Sequence, residues 1–159
     1  MILAFLVQAV LLTHGEVWFD AKASVADFQG RTTIATGSLD WVEVRWADID
    51  TKNGTRNRHM LKTVDAEHFP TIRFDLAATT GDTGQVRLKG TLTLHGVSQA
   101  VEWPAVIRAW PDSVAVAADS PVDMRDYGIK PPVKFVIARM GPVVQVHVRL
   151  VFQKNQTRG

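Results

Sequence analysis

The chain has 159 residues, a formal net charge of +2 and no cysteine. This length fits a single domain with a substantial core, and the small, scattered positive charge argues against nucleic-acid binding. The lack of cysteine excludes disulfides, thiolate metal sites and cysteine nucleophiles.

The first predicted element is an apolar stretch at the N-terminus. Residues 2–12 are apolar except for Gln8, which is too short to span a bilayer but matches the hydrophobic part of a secretory signal. No Lys or Arg precedes the stretch. We expect residues 1–15 to be a signal peptide, residues 16–159 to be the folded domain, and the protein to be periplasmic or secreted. The alternatives are a first core strand and a misassigned start codon.

From residue 16 onward, apolar and polar residues alternate with a period of two, which predicts half-buried strands. In 85–96, for example, Leu88 and Leu92 lie opposite Lys89 and Thr91. Short connections containing Gly, Asp and Pro separate the strands, so we expect a mainly antiparallel sheet. The predicted strands are 16–24, 41–49, 71–78, 85–96, 100–110, 112–118, 133–139 and 143–152.

One segment breaks the strand pattern. Between Thr55 and Pro70, the residues Met60, Leu61 and Val64 have helical spacing, and the proline would stop a helix. The sequence therefore predicts one short helix, or two turns, between two strands.

An antiparallel sheet of about eight strands avoids open edges by closing on itself or by packing on a second sheet. Closure at about eight strands leaves an interior for side chains or for one small apolar ligand. The alternation directs nine apolar side chains inward, and the same side chains would serve a filled core or a ligand cavity. The nine predicted ligand-binding residues are Phe19, Val44, Phe74, Leu88, Leu92, Trp103, Phe135, Val146 and Val148.

Polar residues with catalytic or metal-binding chemistry do not form a recognisable constellation. His95 shares a strand face with polar residues, which predicts a surface or turn histidine, and the five histidines show no paired ligand spacing. Asp48 and Asp50 are typical of a turn. Ser98 lacks a G-x-S-x-G context, and Tyr127 is expected to anchor a turn. We predict a protein that is not an enzyme and has no metal or cofactor.

The tryptophans suggest two different environments. Trp103 shares a face with Val101 and Ala105 and can line a cavity, whereas Trp18 and Trp41 lie among charged residues. Exposed tryptophans would favour a homodimer interface or a membrane-facing patch.

Three segments carry a specific combination of motifs. Residues 48–74, "DIDTKNGTRNRHMLKTVDAEHFPTIRF", resemble a D-T-G-N-like turn, an R-D-x-H-L/M helix start and a Y/F-P-x-I-x-F strand start. Residues 90–104 resemble a G-x-L-T-L/I-H-G-V-T-x-P-V hairpin, and residues 123–129 an R-x-D-Y/F-G-I turn. In this order, they resemble the YceI-like proteins. Asn57, Ser98 and Ala100 stand where that family usually has Asp, Thr and Pro.

This resemblance implies a lipocalin-like antiparallel barrel, exported in most bacteria, with an elongated apolar cavity for a polyisoprenoid or a similar lipid. It also implies that His95 and Gly96 are turn architecture. We therefore expect an all-β barrel that binds or transports a long apolar chain, either isoprenoid or fatty acyl. The alternatives are a stress-related interaction module with a filled barrel and an unrecognised small enzyme.

Overall fold

The computed structural model describes residues 10–24, 26–82, 84–130, 133–134 and 138–154. One α-helix, α1 (Gly54–Thr63), interrupts a succession of strands, and short 3₁₀ turns lie at Trp46–Asp48 and Met124–Tyr127. The strands are β1 (Val10–Ala23), β2 (Phe28–Thr32), β3 (Thr36–Ser38), β4 (Trp41–Arg45), β5 (Thr71–Gly81), β6 (Gln85–Leu94), β7 (Val97–Ala109), β8 (Ser113–Asp123), β9 (Val133–Lys134) and β10 (Ala138–Lys154).

Eight of these strands close into an antiparallel barrel. Strands β3 to β8 pair in chain order, β8 pairs with β10, and β1 joins β10 to β3. The short strand β2 pairs with residues 17–21 of β1, and β9 pairs with the start of β10. Closure removes the unpaired edges that an open sheet would expose. The predicted lipocalin-like barrel with one short helical insertion is thus confirmed.

The strand register places the apolar residues of neighbouring strands side by side in the interior. Phe19 of β1 pairs with Val146 of β10, and Leu88 of β6 pairs with Trp103 of β7. Because side chains alternate along a strand, the neighbour Lys89 points outward and is exposed. The period of two in the sequence therefore becomes an apolar inner wall and a polar outer wall.

The chain reversals define two ends of the barrel. One, which we call the helix end, carries the β1–β2 connection, α1, the β6–β7 turn and the 3₁₀ turn Met124–Tyr127. The opposite end carries the β3–β4, β5–β6 and β7–β8 connections and the start of β1.

Helix α1 is held to the preceding turn by two asparagines. The side chain of Asn53 accepts a hydrogen bond from the backbone N–H of Arg56 and caps the helix. Oδ1 of Asn57 accepts from the backbone N and Oγ1 of Thr51 at 2.9 and 2.6 Å, and its Nδ2 donates to Oδ1 of Asp50 at 3.0 Å. An aspartate at position 57 could not make the last bond, so asparagine suits the neighbouring Asp50.

The structure differs from the sequence prediction at several boundaries. The strand expected over 41–49 ends at Arg45, and of the strand expected over 133–139 the structure describes residues 133–134 in β9 and 138–139 in β10. Strands β2 and β3 were not predicted. Strand β1 includes residues 10–15, and the boundary expected after residue 15 stays a prediction.

Candidate functional site

An apolar cavity of about 430 Å³ occupies the barrel interior. Strands β1, β4 to β8 and β10 line it, mainly with Val, Leu, Phe, Ala, Met and Trp side chains. Its volume is typical of small-molecule sites, which are also mostly apolar. The arrangement suits a ligand held by burial and dispersion.

The cavity opens at the helix end of the barrel. Its lining includes Ala26 and His59, which are exposed to solvent. In the other direction, Leu150 is the last lining residue of β10, and Phe152 is buried beyond it, with 3% of its surface exposed. A chain-like ligand would therefore enter past α1 and lie along the barrel.

Eight of the nine predicted ligand-binding residues border this cavity. Leu88, Leu92 and Val44 are buried, whereas Phe19 and Phe74 are only partly buried because they face the cavity. Phe135 lies outside the described residues. Ligand binding by this set stays a prediction. The eight are Phe19, Val44, Phe74, Leu88, Leu92, Trp103, Val146 and Val148.

Helix α1 contributes a part of the cavity wall that was not predicted from the sequence. Arg56, His59, Met60 and Thr63 all border the cavity. Their spacing of three, four and seven residues puts them on one face of the helix. This spacing is visible in the sequence, but three of the four residues are polar, so a search for apolar periodicity does not detect it.

Arg56 is held at the cavity mouth without a carboxylate. Its Nη1 donates to the backbone carbonyl of Thr51 at 3.2 Å, and its Cζ lies 4.4 Å from the centroid of the Phe28 ring. No ion pair joins Arg56 to an acidic side chain among the described residues.

Trp46 also borders the cavity, although it was not among the nine predicted ligand-binding residues. It lies in a 3₁₀ turn and is 8% exposed. Within the described part of the chain, its Nε1–H has no hydrogen-bond acceptor. A buried donor left unpaired costs about 1–3 kcal/mol.

His95 lies in the β6–β7 turn and has a structural contact. Its Nδ1 donates to the backbone carbonyl of Tyr127 at 2.9 Å, and its ring meets the edge of Phe69 at 5.1 Å between centroids. Tyr127 is buried, and this burial raises the pKa of its phenol. The contact therefore ties the hairpin to the 3₁₀ turn at the helix end.

Trp18 and Trp41 are covered by side chains of their own chain. The Trp18 ring stacks on His147 with 5.0 Å between centroids, and the Cζ of Arg31 lies 4.6 Å from it. Arg73 lies over Trp41 at 4.5 Å. These arginines occupy faces that a dimer or membrane patch would use, and the homodimer stays a prediction.

The acidic residues considered as metal ligands belong to local structure. Oδ1 of Asp50 accepts from Nδ2 of Asn57 and from the backbone N of Lys52, and these bonds hold the pKa of Asp50 below its usual value. Across the described ranges, no group of three or more His, Asp or Glu side chains is arranged to hold a metal ion. Nor does any helix in those ranges have the length and apolarity needed to span a membrane.

The closed antiparallel barrel and its apolar interior define a lipocalin-like protein. The chain belongs to the YceI-like family, because the family model described as the YceI-like domain matches residues 9–152. No curated protein matches the chain significantly.

Several solved structures share the fold. A polyisoprenoid binding domain from Saccharophagus degradans, implicated in plant cell wall breakdown, superposes with a TM-score of 0.76 at 13% identity, covering 93% of this chain and 99% of that one. Burkholderia cenocepacia BcnA gives a TM-score of 0.73 at 15% identity, with 86% and 95% covered. A Campylobacter jejuni YceI protein gives 0.62 at 15% identity, with 87% and 82% covered. At these identities the likeness concerns the fold alone.

Proposed function

We propose that the protein binds a long apolar chain, either isoprenoid or fatty acyl, inside the barrel and carries it without changing it chemically. The observation behind this proposal is the apolar cavity of about 430 Å³ that opens at the helix end. Membership of the YceI-like family supports it, as does the fold shared with a domain described as polyisoprenoid binding.

Burial of the chain would supply the affinity. Each buried methylene contributes about 0.8 kcal/mol, so about ten carbons contribute roughly 8 kcal/mol before ordering costs are subtracted. Without those costs, about 8 kcal/mol corresponds to a Kd of roughly 1 μM. No polar recognition is needed to hold the chain itself.

The cavity favours a binding protein over an interaction module with a filled barrel. A filled interior would be packed at the density of an organic crystal and would leave no space of this size. The cavity wall instead keeps Phe19, Phe74 and Val146 partly accessible. His95 and Asp50 make local structural contacts, and these contacts do not support a catalytic function.

We also propose that the protein acts outside the cytoplasm. The support is the apolar stretch of residues 2–12, which has the length of a signal-peptide hydrophobic region. Cell fractionation of the native host, with mass analysis of the N-terminus, tests this. We expect the protein in the periplasmic or secreted fraction, and its recovery only from the cytoplasm would contradict export.

Ligand binding is tested by narrowing the cavity. Val146 of β10 borders the cavity, whereas its neighbour Gln145 is exposed on the outer wall. We expect Val146→Trp to weaken binding of an isotope-labelled polyprenol by about tenfold or more, because the larger ring occupies ligand volume. The matched variant Gln145→Trp should bind as the wild type does.

The controls separate a folding defect from a binding defect. Circular dichroism and thermal unfolding show whether Val146→Trp folds, and Val148→Phe provides a smaller change on the same wall. Ligand recovered from the wild type should have an unaltered mass. The absence of saturable binding would overturn the proposal, and a change in ligand mass over many turnovers would indicate an enzyme.

A further inference from the structure

Charge is distributed unevenly around the cavity. Of the lining side chains that the structure describes, only Arg56 and His59 are basic and none is acidic, and both belong to α1. Residues 51–64 contain Lys52, Arg56, Arg58 and Lys62 but no Asp or Glu. The α1 side of the mouth is therefore basic, while the interior is apolar.

Arg56 has spare hydrogen-bonding capacity at this mouth. A guanidinium has five N–H donors in a planar fork. Within the described residues, the side chain of Arg56 makes one hydrogen bond, from Nη1 to the Thr51 carbonyl. The Phe28 ring, at 4.4 Å from Cζ, covers one face of the guanidinium and holds it beside the cavity.

The other cations of α1 do not border the cavity. Arg58 is exposed, and its Nη2 donates to Oγ1 of Thr55 at 3.1 Å. Lys62 is also exposed and absent from the lining. Arg56 is thus the fixed positive charge that a ligand in the barrel would meet, with His59 one turn further along the same helix face.

We infer that the natural ligand is an amphiphile with an acidic head group, a carboxylate or a phosphate, which Arg56 binds at the mouth while the chain lies in the barrel. This inference rests on the proposed function and specifies its ligand class. Carboxylate and phosphate oxygens both match the donor fork of a guanidinium, and hydrogen bonds between ionised partners are stronger than neutral ones. A neutral head group would leave the guanidinium without a counter-charge.

The test compares ligands that share one chain and differ in the head group. Hexadecanoate, hexadecyl phosphate and hexadecanol are titrated into delipidated protein at neutral pH, and tryptophan fluorescence reports binding because Trp46 and Trp103 border the cavity. We expect the wild type to bind at least one acidic ligand about tenfold or more tightly than the alcohol. Comparison of the two acidic ligands distinguishes a carboxylate from a phosphate.

Two variants assign the preference to one side chain. In Arg56→Gln, the ratio of acid to alcohol affinity should fall to about one, because the charge is removed while helix propensity is kept. The helix cap is preserved, since Asn53 accepts from the backbone N–H of residue 56. Arg58→Gln removes a neighbouring charge that faces away from the cavity and should retain the wild-type ratio.

The outcomes separate this inference from the proposed function. If all three ligands bind equally to the wild type, the acidic head group is wrong and apolar-chain binding stands. If Arg56→Gln and Arg58→Gln reduce the ratio equally, a diffuse charge effect replaces the Arg56 site, and the inference is overturned. If no ligand binds, the proposed function itself fails.

Discussion

At the scale of single residues, the helix end depends on two glycines in the left-handed region. His95 and Gly96 form the β6–β7 turn. Their φ angles are 53° for His95 and 70° for Gly96, and a type I′ hairpin turn requires positive φ at both positions. A Cβ on Gly96 would lie 2.6 Å from Cε1 of Phe69. Gly128 also has a φ of 70°, but its Cβ would make only ordinary contacts with the His95 ring, with Nδ1 at 3.7 Å and Cε1 at 4.0 Å.

This difference predicts unequal costs for the same substitution. Gly128→Ala should lower the free energy of unfolding by about 1 kcal/mol, because alanine resists a positive φ. Gly96→Ala should cost more, roughly 2 kcal/mol, because the methyl group also displaces Phe69. Urea unfolding of the two variants measures both values. Equal losses would show that the Phe69 contact relaxes without cost.

The residue identities of the cavity wall were predictable only where they follow strand alternation. Leu88 and Leu92 were placed inward because a strand directs every second side chain to one face. Arg56 and His59 were not predicted to face inward, because a polar residue on a short helix is usually solvated. Only the fold places their helix face against the cavity. Trp46 continues the strand alternation in the sequence, although the strand ends before it and Trp46 lies in a 3₁₀ turn.

At the scale of elements, the long pairing of β1 with β10 closes the barrel. It extends from Val10 opposite Lys154 to Ala23 opposite Met140. Five of the first six residues of β1, all but Thr13, take part in it, with Leu12 opposite Phe152 and Gly15 opposite Leu150. Cleavage after residue 15 would therefore remove this part of the pairing.

Truncation of the chain tests the contribution of this pairing. A chain that begins at Glu16 should unfold at a lower urea concentration than one that begins at Val10, because it loses the β1–β10 and β1–β3 pairing of residues 10–15. The expected loss is several kcal/mol, about 0.5–1.5 for each hydrogen bond removed. Identical midpoints would mean that these residues add nothing to the barrel.

The β8–β10 pairing carries an acid-sensitive ion pair. Nη1 of Arg149 donates to Oδ1 of Asp119 at 3.0 Å, and this bond, with a weaker contribution from His147, holds the pKa of Asp119 below its usual value. A lowered carboxyl pKa contributes stability above the unfolded value, and that contribution is lost as the pH falls through the folded value.

We therefore expect Asp119→Asn to reduce the dependence of stability on pH at the acidic end. The difference between wild type and variant should stay below about 1 kcal/mol, because the pair is half exposed and screened by water. Urea unfolding at a series of pH values, from neutral into the carboxyl range, gives the comparison. A constant difference across that range would show that the Asp119 carboxylate is not stabilised by folding.

The strands that were not predicted are those with the weakest alternation of apolar and polar residues. Strand β3 has three residues, Thr36–Ser38, and is too short to show an alternating pattern. Strand β2 contains Gly30 and Arg31, and its place is fixed by pairing with β1 rather than by its own apolar face. Long strands such as β6 and β10 were predictable because five or more alternating residues specify one buried side.

At the scale of the whole molecule, the barrel combines a stable wall with an interior that is accessible to a ligand. A ligand that binds only the folded barrel stabilises it by mass action, by about 2.7 kcal/mol at a hundredfold excess over Kd. For a chain of this size, that corresponds to an increase of roughly 5–10 °C in Tm.

Delipidated protein should accordingly unfold roughly 5–10 °C below protein saturated with an acidic long-chain ligand. Differential scanning calorimetry of the two samples measures the shift, and a short-chain acid such as acetate provides the control without a barrel-filling chain. An equal shift with acetate would mean that the ligand acts through its charge alone. No shift with the long chain would contradict binding to the folded state.

The pairing of the first strand with the last also sets when the protein can work. His14 lies opposite Val151, so the wall closes only after residue 151 has left the ribosome. Contacts of such large sequence separation form late and slowly. A nascent chain has no enclosed interior, and loading must follow synthesis. A ligand of the proposed kind would therefore be acquired by the folded barrel through its helix end.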